Sequence, residues 1–277
     1  MKLLITGICG FTGERLARAL RERIEGLELF GLDNLSRPGS ETNVERLRHS
    51  GVRFFHGDVR QPSDLEVLPP VDWVIEAAAN PSVLAGVDGR SSSRQLLEHN
   101  LLGTVNTLEY GATFGFPVWV NRCGVLAGAG QFGTAEQGIF SYWLHAHAAR
   151  RPLRYIGFGG HGWQVRDAFH PDDLAALIAL QIRRGAPAAR AIHNAGGGIE
   201  NSMSLKQLTA WCDRRFGAFA PVADDKPRRF DIPWLAMDSR RVREEFGWKP
   251  EIRLEAILEE IARHVRDNPG WLDRCGG

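Results

Sequence analysis

Short apolar runs alternate with amphipathic stretches along the first half of the chain. Residues 2–6 form an apolar run that predicts a buried strand, and residues 14–25 carry Leu16 and Leu20 at helical spacing. Further strands are predicted at 27–33, 52–55, 71–79 and 117–123, with a long helix over 92–110 before the last of them. Strands that alternate with helices predict an α/β fold built on a doubly wound parallel sheet.

The second half of the chain mixes shorter elements. Helices are predicted over 139–150, 171–183, 204–216, 238–246 and 254–265, and strands over 153–157, 165–169 and 191–194. Residues 218–235 are rich in proline and charge and are predicted to form a loop. We therefore expect a first domain over 1–138 and a smaller mixed lobe over 139–277, with residues 171–196 returning to the first sheet.

Composition narrows the class of partner. The 277 residues include 34 basic and 33 acidic side chains, and the formal charge of +1 gives no global field that would attract nucleic acid or a membrane. The four cysteines are far apart in the sequence, so no metal site is predicted. Isolated thiols fit a reducing compartment, and we expect the protein to be cytoplasmic.

Three evenly spaced glycines follow the first predicted strand and open the first predicted helix. Gly7, Gly10 and Gly13 lie three residues apart, a pattern that lets the backbone turn tightly and approach a pyrophosphate. Backbone N–H groups at Phe11 and Thr12 would then face the phosphates from the positive end of the helix dipole. The sequence therefore predicts a dinucleotide site here, and the alternative is a simple glycine-rich turn.

A carboxylate ends the second predicted strand. Asp33 follows Gly13 at the distance where a carboxylate binds the 2′-hydroxyl of an adenosine ribose. The same carboxylate would repel a 2′-phosphate, so NAD is favoured over NADP, with Asn34 as a further cofactor residue. Arg37 weakens this preference slightly, and the alternative reading of Asp33 is a surface aspartate.

Residues after the third and fourth strands complete the predicted cofactor site. Asp58 and Val59 follow the third strand, where an adenine amino group could donate to the carboxylate. Ala77, Ala78 and Ala79 end the fourth strand and leave room for a ligand beside the backbone. The alternatives are a turn aspartate and close packing of a helix on small residues.

Several motifs along nearly the whole chain resemble one protein family. Besides the glycine spacing they are Gly57-Asp58-Val59, Asn100-x-x-Gly103-Thr104-x-Asn106, Gln164-Val165-Arg166-Asp167-Ala168-Phe169-His170 with Asp172-Asp173, and Phe246-Gly247-Trp248-x-Pro250. Together they resemble the extended short-chain dehydrogenase/reductase family, the NAD-dependent epimerases and dehydratases of nucleotide sugars. Residues 33–39, 131–133 and 136–138 are most similar to its CDP-paratose/CDP-tyvelose 2-epimerase branch.

The resemblance implies a Rossmann-like fold, bound NAD and a nucleotide-sugar substrate, which for this branch is a CDP-sugar. The implied reaction takes a hydride from a sugar carbon and returns it, while a tyrosinate accepts the hydroxyl proton. A lysine four residues after that tyrosine lowers its pKa, because an unperturbed phenol is a poor base near neutral pH. The resemblance also adds Asn100 to the cofactor residues.

The resemblance also implies substrate contacts in the second lobe. Arg166 and Arg228 match arginines that hold the diphosphate of the substrate as charge-assisted pairs. The alternative is that they form ion pairs with neighbouring aspartates. Gln131 and Gln137 are candidates for sugar or base contacts, and for both a solvated loop amide is the favoured reading.

One departure from the family pattern decides most of the functional expectation. The chain contains no Tyr-x-x-x-Lys, because its three tyrosines are followed four residues later by Phe114, Ala146 and Gly159. The strand at 117–123 resembles the family strand that follows the tyrosine helix. One strand and one helix are therefore expected to be missing, with the join near 108–111 and a sheet shortened by one strand–helix unit.

The catalytic residues are consequently unknown. His99 and His170 are candidates by residue type alone, and a structural role is favoured for both. We expect an NAD-binding family member whose turnover is impaired or absent, because losing a general base costs about 10²–10⁴ in rate. The alternatives are a non-catalytic NAD or nucleotide-sugar binding or sensor protein, and an internally truncated form of a longer, active enzyme. The resemblance implies a homodimer formed through two helices, of which one is expected to be missing here.

Overall fold

The computed structural model of the chain describes residues 1–82, 92–113, 115, 117–187, 191–227 and 231–275. Contacts within the chain define two compact units. The first unit comprises Met1–Trp119 and Ile178–Ala191, and the second comprises Val120–Leu177 and Ile192–Gly277. The domain boundary expected at residue 138 stays a prediction, and the contacts divide the chain earlier.

The first unit contains a parallel sheet of four strands. They are β1 (Lys2–Thr6), β2 (Glu28–Asp33), β3 (Arg53–His56) and β4 (Trp73–Glu76). The order is β3-β2-β1-β4, and Leu3 of β1 lies opposite Leu29 of β2 and Trp73 of β4. Because the strands are parallel, the residues that follow them meet along one edge of the sheet, which is the edge where such sheets bind ligands.

The helices of the first unit cover this sheet. They are α1 (Phe11–Arg23), α2 (Thr42–His49), α3 (Pro62–Glu66), α4 (Ser93–Leu96) and α5 (Gly103–Thr113). A π-helical turn at Leu97–Leu102 joins α4 to α5 within one continuous helical stretch. The sequence predicted this stretch as a single helix and did not predict the π turn. Such turns frequently occur at functional sites.

The second unit mixes parallel and antiparallel pairing. Its strands are β5 (Val120–Cys123), β6 (Val125–Leu126), β7 (Arg154–Ile156), β8 (Val165–Phe169), β9 (Ile192–Ala195), β10 (Ser202–Ser204), β11 (Val222–Asp224) and β12 (Trp234–Leu235). β8 lies between β10 and β12 and also pairs with β6, while β7 pairs with β11. Both β11 and β12 lie in the segment 218–235 that was predicted to be a loop.

The helices of this half are α6 (Ile139–Ala148), α7 (Pro171–Arg184), α8 (Leu205–Phe216), α9 (Arg240–Phe246), α10 (Leu254–Asp267) and α11 (Trp271–Arg274). α7 passes from the second unit into the first at Ile178. Ser204 caps the amino end of α8 with a capping box. Its hydroxyl oxygen accepts from the Gln207 backbone N–H, and the Gln207 side-chain oxygen accepts from the Ser204 backbone N–H. No helix of the described residues is long and apolar enough to cross a membrane.

The parallel pairing is interrupted after β4. On one side β4 pairs with β1, and no described strand pairs with its other edge. β5 instead pairs in parallel with β9 in a two-stranded sheet, with Val120 opposite Ile192. The α/β class with a parallel sheet is confirmed, but the shortened sheet does not continue from the fourth strand to the strand at 117–123. Removing a central strand also removes the backbone hydrogen bonds that would join its two neighbours.

Each unit has its own apolar core. In the first unit Leu4, Phe30 and Leu32 of the sheet pack with Val59 and Leu65. In the second unit a larger cluster forms around Phe140, Trp143 and Leu144 of α6, together with residues of α8 and α10. The two central strands of the first sheet, β1 and β2, are largely buried, and most of the candidate cofactor residues follow the carboxyl ends of its four strands.

Candidate nucleotide site

The loop between β1 and α1 folds back against the end of β4. Gly7 has a φ of +66°, and a Cβ on it would lie 2.8 Å from the Cα of Ala78. Gly13, in the first turn of α1, would place a Cβ only 2.3 Å from the carbonyl oxygen of Gly7. A side chain at either position would therefore push the loop away from the strand and helix on which it packs.

The surroundings of Gly10 are less crowded than those of Gly7 and Gly13. Among the described residues, a Cβ on Gly10 would meet only the carbonyl oxygen of Gly7, at 3.1 Å. Gly10 also precedes α1 and offers no side chain to cap it. The N–H groups of Phe11, Thr12 and Gly13 come before the first bond of the helix, from Glu14 to Gly10. Three backbone donors at the positive end of a helix fit an anion such as a pyrophosphate.

Asp33 ends β2 and ties the glycine loop to the sheet. Its Oδ2 accepts from the Cys9 N–H at 2.9 Å, and its Oδ1 accepts from the Leu35 N–H at 2.8 Å. Burial raises the pKa of the Asp33 carboxyl group, although these N–H groups partly oppose the change. Each carboxylate oxygen can accept a second hydrogen bond, so Asp33 can still bind a ribose hydroxyl group.

The thiol of Cys9 lies in the same loop. It is fully buried, and burial, followed by the nearby Asp33 charge, raises the pKa of Cys9 to about 12. The side chain is therefore a neutral thiol at physiological pH and adds no negative charge that would repel a bound phosphate.

Asp58 follows β3 and is held by two side chains. Asn34 Nδ2 donates to its Oδ2 at 2.8 Å, and Arg60 donates through its backbone N–H, Nε and Nη2. Burial alone would raise the pKa of Asp58, but the hydrogen bonds from Arg60 and Asn34 outweigh burial and hold the pKa below its usual range. The structure thus brings Asp33, Asn34 and Asp58 together at the ends of β2 and β3.

Val59 lies beneath α5. Its carbonyl oxygen accepts from Asn106 Nδ2 at 2.8 Å, and a Cβ on Gly103 would lie 2.8 Å from its Cγ2. Among the described residues, no hydrogen bond from the Val59 N–H is found. The Val59 N–H, in the residue that follows Asp58, is therefore left as a backbone donor in the loop after β3.

The end of β4 forms the other side of the site. The N–H groups of Ala77 and Ala78 point to the carbonyl oxygen and hydroxyl group of Thr6, at 3.2 Å and 3.4 Å. Asn100, in the π turn, hydrogen bonds to the backbone of Asn80. Ala79 is exposed. The small side chains leave the backbone accessible beside the glycine loop.

Two of the three tyrosines are engaged in structural hydrogen bonds. The Tyr110 hydroxyl donates to the carbonyl oxygen of Pro69 at 2.8 Å, and the Tyr155 hydroxyl donates to Thr209 Oγ1 at 2.7 Å. Burial raises the pKa of both phenols. Neither side chain is therefore suited to act as a tyrosinate base.

The two candidate histidines also make structural contacts. His170 is buried, with Nε2 2.8 Å from Glu260 Oε2 and Nδ1 3.1 Å from the Asp172 backbone nitrogen. His99 Nδ1 lies 2.8 Å from the Gln95 carbonyl oxygen within its own helix. Both nitrogens of His170 are occupied, so it is not placed to take a proton from a substrate.

Arg166 lies in the second unit and is paired with Asp231. Its Nη2 forms a short hydrogen bond to Asp231 Oδ1, and its Nη1 donates to the carbonyl oxygen of Val165 at 2.6 Å. Asp167, beside it in the chain, accepts instead from backbone N–H groups. Arg228 lies outside the described residues, so its contact with a diphosphate stays a prediction.

The two glutamines of the second unit also belong to local structure. Gln131 Nε2 donates to the Leu126 carbonyl oxygen at 2.8 Å, and Gln137 forms a tight backbone bridge with Thr134. Gln131 Oε1 is buried and lacks a hydrogen-bond partner among the described residues. Their roles as substrate contacts stay predictions.

Known proteins resemble this arrangement in sequence and in fold. The family described as NAD dependent epimerase/dehydratase matches residues 3–111, which span the glycine loop, Asp33, Asp58 and the end of β4. Residues 3–111 thus match the NAD-dependent epimerase/dehydratase family, and relatives that are nucleotide-sugar epimerases and dehydratases align over most of the chain. The resemblance drawn from the motifs is thereby confirmed.

One relative within this family is the CDP-paratose 2-epimerase of Salmonella typhi. It is 26% identical over 342 positions that cover 94% of this chain and 98% of the relative. The alignment is longer than the 277 residues of the chain, so the relative contains residues with no counterpart here. This agrees with an internal deletion.

Solved epimerase structures have the same fold. The UDP-glucose 4-epimerase of Thermotoga maritima, determined with UDP-glucose, has a TM-score of 0.82 at 20% identity and covers 97% of this chain and 99% of its own. The Thermus thermophilus UDP-glucose 4-epimerase, determined with NAD, has a TM-score of 0.79 at 22% identity and covers 96% of this chain and 99% of its own. At this identity the likeness establishes the fold.

Two side chains at the site were missed by sequence reasoning. Arg60 holds Asp58, and Asn106 holds the backbone of Val59. Asp58 accepts from the backbone N–H of Arg60, two residues later, as is typical of an Asx turn. This spacing could have indicated the contact between Arg60 and Asp58. Asn106 lies in a motif that was recognised but given no role.

Proposed function

We propose that the first unit binds NAD across the carboxyl ends of β1, β2, β3 and β4. The observation that carries this proposal is the uncapped amino end of α1 behind Gly10, where no described side chain fills the space. In this arrangement the pyrophosphate lies against Phe11, Thr12 and Gly13. Asp33 then accepts from a ribose hydroxyl group.

The remaining cofactor residues hold the two ends of the dinucleotide. Asn34, Asp58 and Val59 line the adenine end, and Ala77, Ala78, Ala79 and Asn100 line the nicotinamide end. Bound NAD would supply a hydride acceptor for a sugar carbon that bears a hydroxyl group. The Cys9 thiol stays neutral in this site, so the loop carries no charge that opposes the phosphates.

The substrate proposed for the second unit is a nucleotide sugar, with a CDP-sugar as the first candidate. Arg166 supplies a guanidinium group for the diphosphate, and it must exchange Asp231 for the phosphate oxygens. Arg228, Gln131 and Gln137 complete this proposed set. The support for the substrate class is the family match over residues 3–111 together with the CDP-paratose 2-epimerase relative.

We propose that turnover is impaired or absent. Proton transfer from a sugar hydroxyl group needs a base of suitable pKa within hydrogen-bond reach. Burial raises the pKa of Tyr110 and Tyr155, and the chain has no Tyr-x-x-x-Lys. The catalytic residues stay unknown. A non-catalytic NAD or nucleotide-sugar binding or sensor role is the second candidate, favoured by the same observation.

Calorimetric titration with NAD tests the binding proposal. Gly10→Val should abolish binding, because its side chain would enter the space where the pyrophosphate lies. Gly270→Ala is the matched control, since a Cβ at Gly270 meets only the Asp273 carboxylate, at 3.7 Å. Unchanged NAD affinity in Gly10→Val would remove the pyrophosphate from this loop.

Turnover is tested separately with CDP-sugars and bound NAD. The absorbance of reduced nicotinamide and the sugar products are followed together, and we expect neither to change. A protein-dependent conversion of the sugar would contradict the proposed loss of catalysis while leaving NAD binding intact.

A further inference from the structure

Glu76 is the last residue of β4 and directly precedes Ala77–Ala79. In the parallel register it lies opposite Thr6, the residue before the glycine loop. The Thr104 hydroxyl oxygen lies 2.5 Å from Glu76 Oε1 and 2.9 Å from the Asn100 carbonyl oxygen. Glu76 is therefore joined to both elements of the proposed nicotinamide end, to the end of β4 along the chain and to the π turn through this hydroxyl group.

The Thr104 hydroxyl group has a single hydrogen, and both of its neighbours are acceptors when Glu76 is ionised. It then donates to the carboxylate, and the 2.5 Å separation lies in the range of hydrogen bonds between a hydroxyl group and a carboxylate. When Glu76 is protonated, its own hydrogen can be donated to Thr104, which then donates to the Asn100 carbonyl oxygen. Thr104 can thus hydrogen bond to this carboxyl group in both protonation states.

Burial of the Glu76 carboxyl group raises its pKa, and the hydrogen bond from Thr104 partly opposes this rise. Glu76 therefore loses its charge at a higher pH than a fully hydrated glutamate does. No charged group of the described residues contributes to this shift. The ionisable side chains on β1, the π turn and α5 next to it are Lys2, Glu98, His99, Glu109 and Tyr110. An ionised Glu76 is thus a negative charge without a paired cation in the described part of the chain.

The two redox forms of nicotinamide differ in charge. The oxidised ring carries a positive charge, and the reduced ring is neutral. A negative charge at the nicotinamide end favours the oxidised form by Coulomb attraction, which acts over about 10 Å at moderate salt and needs no direct contact. A protonated, neutral carboxyl group gives no such preference.

We propose that Glu76 is a specificity-determining residue that selects the oxidised dinucleotide over the reduced one, and that it does so only when ionised. This inference rests on the proposed NAD site and adds redox selectivity to it. Such selectivity suits the second candidate function, because a sensor that distinguishes the two forms can report their ratio. Oxidised NAD favours the ionised carboxylate, so its binding should release protons near the pKa of Glu76, whereas NADH binding should not.

Calorimetry with oxidised NAD and with NADH compares the wild-type protein with Glu76→Gln. The glutamine keeps an oxygen that can accept from Thr104, so this variant removes the charge with little change in shape. At about pH 8 the preference of the wild type for oxidised NAD should exceed that of Glu76→Gln by about fivefold or more. Towards about pH 5.5 the wild-type preference should fall, and that of Glu76→Gln should stay constant.

Two further measurements give readouts that a structural role would not move. Titrations in buffers of different ionisation enthalpy count the protons released, and the excess for oxidised NAD over NADH should disappear in Glu76→Gln. Thr104→Val removes the donor that lowers the pKa of Glu76, so the preference should be lost at a higher pH than in the wild type.

Glu28→Gln is the matched control. Glu28 is an exposed glutamate at the start of β2, so this variant removes the same charge from the opposite end of the same sheet. Its preference for oxidised NAD, and the dependence of that preference on pH, should equal those of the wild type.

The outcomes separate this inference from the proposal beneath it. A wild-type protein that binds neither form overturns the NAD site and this inference together. With binding retained, an equal weakening of both forms in Glu76→Gln, or a wild-type preference that does not change with pH, overturns the role of Glu76 alone. Should Glu76→Gln fail to fold by circular dichroism, the pH dependence in the wild type and in Thr104→Val decides the question.

Discussion

The side chain of Asn100 forms two hydrogen bonds to the backbone of Asn80. Its Nδ2 donates to the Asn80 carbonyl oxygen at 2.8 Å, and its Oδ1 accepts from the Asn80 N–H at 2.7 Å. The amide thus pairs with the segment after β4 as a neighbouring strand would, at a place where no described strand does so. Asn100 lies in the π turn, which therefore positions the end of Ala77–Ala79.

Replacing Asn100 by leucine should loosen this end of the site. The leucine side chain has nearly the same shape but can make neither hydrogen bond, so the free energy of unfolding should fall by about 1–2 kcal/mol. NAD should bind more weakly, whereas ADP-ribose, which lacks nicotinamide, should be affected less. Urea unfolding and calorimetry measure the two effects. Equal losses for NAD and ADP-ribose would contradict a role at the nicotinamide end.

The charge of Asp33 should control the choice between NAD and NADP. Asp33→Asn removes the charge that repels a 2′-phosphate but keeps one oxygen to accept from the Cys9 N–H. The NAD-to-NADP ratio of affinities should therefore fall by about tenfold or more. Asp72→Asn is the control, since Asp72 also accepts from a backbone N–H, that of Lys2, at the opposite end of the sheet. If both variants keep the wild-type ratio, Asp33 does not select the cofactor.

His145 should make the protein less stable in mild acid. Burial, followed by the nearby His264, lowers the pKa of His145 to about 3 from its ordinary value of 6.5. Between these values the unfolded chain binds more protons than the folded one, so the free energy of unfolding falls as the pH drops below 6.5. The slope from this group is at most about 1.4 kcal/mol per pH unit.

His145→Gln should flatten this dependence, as measured by urea unfolding at several values of pH. His49→Gln is the control, because the His49 side chain is 83% exposed and should leave the slope unchanged. A slope that stays at the wild-type value in His145→Gln would assign the acid sensitivity to other groups.

The features that follow from local pattern could be predicted from the sequence. The apolar run of β1 and the spacing of Gly7, Gly10 and Gly13 fix a strand, a tight turn and a helix start within a few residues. Asp33 could be placed because it ends the next apolar run. These elements are set by neighbours in the chain, so a single sequence is enough to locate them.

Features that depend on distant partners could not be predicted in the same way. α2 carries few apolar residues, and its buried Asn43 donates to the carbonyl oxygen of Cys9 at 2.8 Å, far away in the sequence. The interruption of the sheet after β4 depends on which strands pair with each other, and these strands are distant in the sequence. The hydrogen bonds from the Arg60 side chain to the Asp58 carboxylate depend on side-chain geometry, which residue type alone does not determine.

The helical stretch after β4 presents an apolar surface. Five of its side chains are at least a third exposed, with Leu97 at 57% and Leu101 at 55%; the others are Leu102, Val105 and Leu108. Their spacing places them along neighbouring faces of one helix. Contiguous exposed apolar side chains typically mark an association surface, and a two-fold axis lets one such helix cover the same helix of a second copy.

The homodimer stays a prediction, and Leu101→Glu tests it. A charge in the middle of this surface would be desolvated on association, so the variant should sediment as a monomer while the wild type sediments as a dimer. Val67→Glu is the matched control, because Val67 is 74% exposed but lies outside this helix, at the end of α3. If the wild type is monomeric at every concentration, or if Leu101→Glu and Val67→Glu both remain dimeric, the helix is not the interface. Loss of the dimer in Leu101→Glu alone would mean that one helix suffices where the family resemblance implies two.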